Sequence, residues 1–178
     1  MPERTQINNE SLPHDLQEFW TRARTNTYAG DTVPIPGLTS PGSTGYRYFE
    51  ENNPYIYTDE YHSHSKTPGK FAGAEMIRKY RYDGQRTAFY TYAGGLTEEG
   101  LKLGEETVYE ILKKVLKDKA EIVRFGNRVM TEVENQDGRW QYEGYGSLKP
   151  WGWEDKERIT LNHVLVYELS GTGVSFVS

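Results

Sequence analysis

The chain has 178 residues, with 21 basic and 26 acidic side chains, a formal net charge of −5, and no cysteine. A single domain of this length builds its core without disulfides or metal, and the lack of cysteine removes thiolate chemistry, disulfides and zinc ribbons. The acidic balance, with no segment that clusters Lys and Arg, argues against direct nucleic-acid binding, and no apolar run approaches the roughly 18 residues of a membrane span.

Residues 1–10 are polar and lack the apolar stretch of a signal peptide, so they read as a flexible arm on a cytoplasmic protein. Residues 11–178 read as one domain. Leu12, Leu16, Phe19, Trp20 and Ala23 recur at spacings of three and four, which places them on one buried helix face. Ser11 is a natural N-cap, and Pro13 is tolerated in the first turn. Residues 31–45 hold Pro34, Pro36 and Pro41 with Gly37, Gly42 and Gly45, and predict a long loop. Within it, residues 33–43 are either a lid or rim, or a plain surface crossing.

Beyond this loop the chain reads as strand and turn. Asp83-Gly84 separates the β-rich stretches 75–82 and 86–92, and Asp-Gly supplies the positive φ angles of a tight hairpin. Gly94-Gly95 ends a strand before Thr97 leads into a second helix. That helix has the stripe Val108, Ile111, Leu112, Val115 and Leu116, with Glu105 and Glu106 leading and Lys117 trailing, as the helix dipole prefers. Asp137-Gly138 separates 127–134 from 139–145, Asn162-His163 separates 158–161 from 164–169, and 174–177 reads as one more short strand.

The order helix then strands occurs twice. Phe71-Ala-Gly73-Ala-Glu75 resembles Trp151-Gly152-Trp153-Glu154 at an offset of 79 positions, and Tyr90-Thr-Tyr92-Ala-Gly94 resembles Tyr167-Glu-Leu169-Ser-Gly171 at 77. Tyr57 and Tyr61 have looser counterparts in Tyr142 and Tyr145. The expectation is two pseudo-repeats, 11–96 and 97–178, each a helix with about four antiparallel strands. The predicted fold class is α+β: two helices packed on a strongly curved, mainly antiparallel sheet or partly open barrel, whose concave side suits a ligand.

Tyr28-Ala29-Gly30, Ser40-Pro-Gly-Ser43, Tyr57-Thr-Asp59-Glu-Tyr61, Phe71-Ala-Gly73-Ala-Glu75, Tyr90-Thr-Tyr92-Ala-Gly94 and Arg124-Phe-Gly126 follow one another over most of positions 16–170. In that order and spacing they resemble an uncharacterised bacterial domain family, whose members occur alone or attached to helix-turn-helix transcription regulators. The family tends to have an Arg before the Pro-Gly of the first loop, where Ser40 stands here, and a Gly soon after the second Tyr, where this chain has His62-Ser-His64. The resemblance implies a fold and a regulatory setting but no activity. With no DNA-reading helix and a net acidic charge, a role in transcription would pass through a partner protein.

Nine of the fourteen tyrosines fall between Tyr46 and Tyr92. By strand alternation Tyr80 and Tyr82 share one face, as do Tyr90 and Tyr92. Cross-strand packing explains such aromatics, and so does a pocket for a flat or partly apolar ligand to which Trp140, Trp151 and Trp153 add. His62 and His64 lie near Asp59 and Glu60, but in a polar stretch that reads as an exposed loop, so no metal site is expected. His14 and His163 read as solvated. Glu75 and Glu154 hold equivalent places in the proposed repeat, either as an acid and base pair or as acceptors of structural hydrogen bonds. The chain has no Gly-x-Ser-x-Gly elbow, phosphate loop or dinucleotide fingerprint, and no cofactor is predicted.

Three readings follow. The first is a non-catalytic small-molecule-binding or sensing domain using Tyr57, Asp59, Tyr61, Glu75, Tyr90, Tyr92, Trp153 and Glu154. The second is an enzyme using Glu75 with Asp59 or Glu154. The third is an interaction module, such as a homodimer joined along the edge strand 174–177.

Overall fold

The computed structural model describes residues 12–30, 32–38, 41–63, 66–79, 84–119, 128–149 and 151–176. The polar arm 1–10, Ser11, Ser40, His64, Tyr80, Tyr82, Asp83, Arg124-Phe-Gly126 and Val177 lie outside the described residues.

The elements run α1 (His14–Asn26), β1 (Ile35–Pro36), β2 (Thr44–Phe49), β3 (Tyr55–Ser63), β4 (Lys70–Lys79), β5 (Arg86–Leu96), α2 (Glu98–Leu103), α3 (Glu105–Asp118), β6 (Arg128–Asn135), β7 (Gly138–Lys149), β8 (Gly152–Leu161) and β9 (Val164–Ser175). The fold is α+β. The nine strands of the described residues form one antiparallel sheet in the order β1-β2-β3-β4-β5-β9-β8-β7-β6, open at β1 and β6 rather than closed into a barrel. Apart from the two-residue β1 beside β2, it consists of two four-stranded meanders, β2–β5 and β6–β9, joined where β5 pairs with β9. One long helix precedes each meander.

The apolar stripes dictate which face the helices cover. Leu16, Phe19, Trp20 and Ala23 of α1 are fully buried, as are Val108, Leu112 and Val115 of α3. Among the described residues there are three helices rather than two. The extra one, α2, is a short turn capped by Thr97, whose side chain accepts a hydrogen bond from the Gly100 backbone N–H at 3.2 Å. Helix α1 starts later than its caps predict, with Pro13 itself in the N-cap position and no side-chain cap.

The Asn162-His163 turn forms as the sequence predicts, whereas the hairpin predicted at Asp137-Gly138 turns on Gln136 and Asp137, with Gly138 already paired to Asn135 as the first residue of β7. Gly138 has φ of 130°, and Asn162 and His163 have φ of 49° and 71°, the left-handed pair that a two-residue hairpin requires. The predicted last strand is the end of β9, where Val174 pairs with Phe89 of β5. Strand β9 therefore lies between β5 and β8 rather than at an edge of the sheet, although its last residues, Val174 and Ser175, pair with β5 alone. The described part of 33–43 is not structureless, since Ile35 and Pro36 pair with Gly45 and Thr44.

Directly paired residues of antiparallel strands project to the same face. One row across the helix-covered face is therefore Tyr46, Asp59, Glu75, Tyr90, Gly173 and Trp153, and the next is Tyr61, Gly73, Tyr92, Gly171 and Asp155. Along β8 the alternation is strict: Trp153, Asp155, Glu157 and Ile159 are buried, whereas Glu154, Lys156 and Arg158 are exposed.

Candidate functional site

The covered face carries unusually large side chains beside glycines. A Cβ on Gly73 would lie within 2.5 Å of the Tyr92 hydroxyl, one on Gly171 would collide with the Tyr90 hydroxyl, and one on Gly173 would collide with the Trp153 ring. Each aromatic side chain thus reclines across a glycine of the neighbouring strand. Gly73 lies between β5 and β3, so Tyr92 reaches over it and donates a 2.6 Å hydrogen bond to Asp59 Oδ1. Both residues are buried.

The second carboxylate is held from the helix. Trp20 Nε1 and Arg24 Nε of α1 both donate to Glu75 Oε2, the latter at 2.8 Å. The Arg24 guanidinium carbon lies 5.0 Å from the Trp20 ring centre and 5.5 Å from that of Tyr90, so its charge is met by a carboxylate and two aromatic faces. Trp20 also contacts Trp153 edge to face at 5.6 Å, while Tyr90 and Trp153 stack with their planes 6° apart. This cluster fills the space under α1.

Beside it the covered face is empty. A cavity of about 690 Å³ opens between the sheet and α3, within the size range of small-molecule sites. Tyr46, Tyr57, Asp59, Tyr61, Glu75 and Tyr92 form the sheet wall, Arg24 and Tyr28 close one side, and Tyr109, Leu112 and Leu116 of α3 form the opposite wall. Phe71, Tyr167 and Leu169 extend the lining, and Lys70, Glu105 and Lys113 contribute charge around it.

Four of the lining phenols hold their protons more tightly than an ordinary tyrosine. Burial, then the Asp59 charge, pushes Tyr92 well above its ordinary value, and burial followed by Tyr61 and Asp59 raises Tyr46. Tyr61 is raised in the same way, by burial and then Asp59. Tyr109 is pushed up to about 12 by burial first and by Glu105 next. The cavity wall is thus a set of neutral hydroxyls and π faces around the Asp59 carboxylate.

Of the residues singled out in the sequence, Tyr57, Asp59, Tyr61, Glu75 and Tyr92 line this cavity. Tyr90 and Trp153 are on the same face but belong to the packed cluster beside it. Glu154 is a correction. Its side chain is 49% exposed on the opposite face of the sheet, 3.2 Å from Lys149 Nζ. The strand pairing explains why: Glu75 pairs with Tyr90, and Tyr167, 77 positions after Tyr90, pairs with Ile159. Ile159 is therefore the counterpart of Glu75, and Glu154 is out of phase by an odd number of residues. His62 is an exposed residue of β3, not part of a loop. Among the described residues no group of three His, Asp or Glu is placed to hold a metal. The described residues of the proline-rich segment do not line the cavity.

Sequence reasoning missed Arg24, Tyr28, Tyr109 and the buried Asp155 and Glu157. Arg24 had a signal, since it lies four residues after Trp20 on the same side of α1. Tyr109 stands one position after Val108, at the border of the apolar stripe.

Comparison with protein-family models, with curated proteins and with solved structures found no match. Among the described residues no helix is long and apolar enough to cross a membrane.

Proposed function

We propose that this chain is a small-molecule-binding domain that senses a ligand held in the tyrosine-lined cavity. The observation that carries the reading is the cavity itself, with its tyrosine wall surrounding a buried carboxylate. A protein interior is ordinarily packed to the density of an organic crystal, so about 690 Å³ of open space beside a filled aromatic cluster supports a binding role. The resemblance to domains carried by helix-turn-helix regulators suits a sensing role in which the bound form acts through a partner protein in the cytoplasm.

The enzymatic reading has less support. Glu75 is engaged by Trp20 and Arg24, which fix it as a salt-bridged acceptor rather than a proton carrier, and Glu154 faces away. The test is thermal unfolding of the purified chain against a metabolite panel. A ligand of the native state at about 100 times its Kd adds roughly 2.7 kcal/mol. Tyr61→Ala should abolish the shift and Glu154→Gln should preserve it. A panel that moves neither the wild type nor the Glu154 variant, or a shift that survives Tyr61→Ala, would overturn the assignment.

A further inference from the structure

Resting on the binding reading above, we propose that the cavity takes an uncharged aromatic compound carrying a hydroxyl or carbonyl oxygen. The charges of the lining are the first reason. Its two buried carboxylates already accept hydrogen bonds from protein donors: Glu75 from Trp20 Nε1 and Arg24 Nε, and Asp59 from the Tyr92 hydroxyl at 2.6 Å. The Arg24 guanidinium, 2.8 Å from Glu75, is matched by that carboxylate and by the Trp20 and Tyr90 rings. The other charged groups of the described lining are Lys70, which is half-buried, and Glu105 and Lys113, which are exposed. Cations and carboxylates are thus equal in number among the described lining residues, three of each. An ion of either sign would give up its hydration on entry without meeting an excess of opposite charge, a cost that an uncharged ligand does not carry.

The rings are the second reason. Phe71 stacks with Tyr167 at 6.4 Å, and Tyr109 meets both, Phe71 at 6.2 Å and Tyr167 edge to face at 6.2 Å. Around Asp59, Tyr46 and Tyr61 stack at 6.5 Å, and Tyr28 meets Tyr46 edge to face at 6.4 Å. Rings set at such different inclinations offer both faces and edges, and a flat aromatic ligand gains from each, whereas a saturated ring of similar size gains only from its buried area. Tyr109, Leu112 and Leu116 stand three and four residues apart on the cavity side of α3, so the helix presents one ring and two apolar side chains to the ligand. The phenols of Tyr46, Tyr61 and Tyr109 keep their protons at neutral pH, and a neutral hydroxyl both donates and accepts, which suits a hydroxyl or carbonyl oxygen on the ligand.

Calorimetric titration of the full chain at neutral pH with four probes of one shape separates this assignment from the binding reading. The probes are naphthylmethanol, naphthoate, naphthylmethylammonium and the saturated decahydronaphthylmethanol. Naphthylmethanol should bind at least about tenfold more tightly than either ion and about fivefold more tightly than the saturated alcohol, which lacks the ring interactions. Tyr109→Leu should weaken naphthylmethanol about fivefold, and Tyr109→Phe, which keeps the ring, should not. An ion that binds as tightly as naphthylmethanol would overturn the uncharged assignment, and a saturated alcohol that does so would overturn the aromatic one; either result leaves the cavity as a binding site. No binding by any of the four at millimolar concentration would overturn both the assignment and the binding reading. The ranking of the four probes on the wild type decides the matter even if Tyr109→Leu does not fold.

Discussion

Tyr92 and Asp59 sit on strands that do not touch, and they meet because the residue between them is Gly73. Tyr92 pairs with Gly73, Gly73 pairs with Tyr61, and the hydroxyl passes over the bare backbone to Asp59 Oδ1 at 2.6 Å. The bond fixes the carboxylate at the base of the cavity and holds the ring flat against the sheet.

Tyr92→Phe should therefore destabilise the fold by about 1–3 kcal/mol, because a buried carboxylate loses a donor without gaining a substitute. Gly73→Ala should cost a similar amount by overpacking, about 1–3 kcal/mol, since its methyl group would press on both the Tyr92 hydroxyl and the Glu60 carbonyl. Urea unfolding of each variant measures the loss. Wild-type stability in Tyr92→Phe would mean that the bond contributes nothing to holding the wall in place.

The Arg24 and Glu75 pair offers a sharper contrast. Both side chains are almost wholly buried, at 12% and 3% exposure. Removing one partner leaves a charge stranded, so Arg24→Met should cost about 3–5 kcal/mol. Arg24→Met combined with Glu75→Gln should recover part of that loss, because the stranded carboxylate is gone. A double-mutant cycle from chemical denaturation reads the coupling directly, and additive single losses would show that the two charges act independently.

The architecture was legible wherever one local rule dominated. Helix stripes, the presence of the β6–β7 hairpin, the Asn162-His163 turn and the tyrosine strands all follow from spacing and backbone conformation. Errors arose where a motif match overrode alternation. Ile159 and Trp153 are buried, and counting back by twos from Ile159 places Glu157 and Asp155 inside and Glu154 outside. The match of Gly-x-Glu between Gly73 and Gly152 concealed this. The central position of β9 was not legible either, because strand order depends on which meander ends meet, and the edge or interior status of residues 174–177 has no local signature. The cavity lies in the same category. Tyr61, Tyr92 and Tyr109 have the composition of a packed core, and only the tertiary spacing between the sheet and α3 makes their surfaces a wall.

Raised phenol pKa values predict alkaline lability. In the folded state Tyr46, Tyr61, Tyr92 and Tyr109 hold their protons above the ordinary value of 10. In the unfolded chain they release them near that value. Between these limits the unfolded state binds fewer protons, so stability falls as pH rises. The contribution of these tyrosines should be fully present below about pH 10 and should decline through about 12, the value for Tyr109. Unfolding free energies taken at intervals from pH 8 to about 12, with phenolate absorbance followed in parallel, test this. Tyr109→Phe should remove part of the slope, and a stability that rises above pH 10 would contradict the burial of these hydroxyls.

The β8–β9 turn is set by backbone conformation and by one side-chain hydrogen bond. Asn162 and His163 both have positive φ, and Asn162 Oδ1 also accepts a 3.0 Å hydrogen bond from the Arg139 backbone N–H of β7, which ties the turn to the next hairpin. Asn162 is therefore suited to its place by side-chain bonding and by its tolerance of the left-handed region. His163 is exposed, and at φ of 71° its Cβ is a cost that glycine would not bear. His163→Gly creates the Asn-Gly pair that such two-residue hairpins favour. It should raise stability by about 1 kcal/mol, offset in part by the greater freedom of glycine in the unfolded chain. The urea midpoint should move upward with an unchanged denaturant slope. A decrease would show that the imidazole makes contacts worth more than the relief of backbone strain. Asn162→Ala should act in the opposite direction, losing both the left-handed preference and the bond to Arg139, with a cost of about 1–2 kcal/mol.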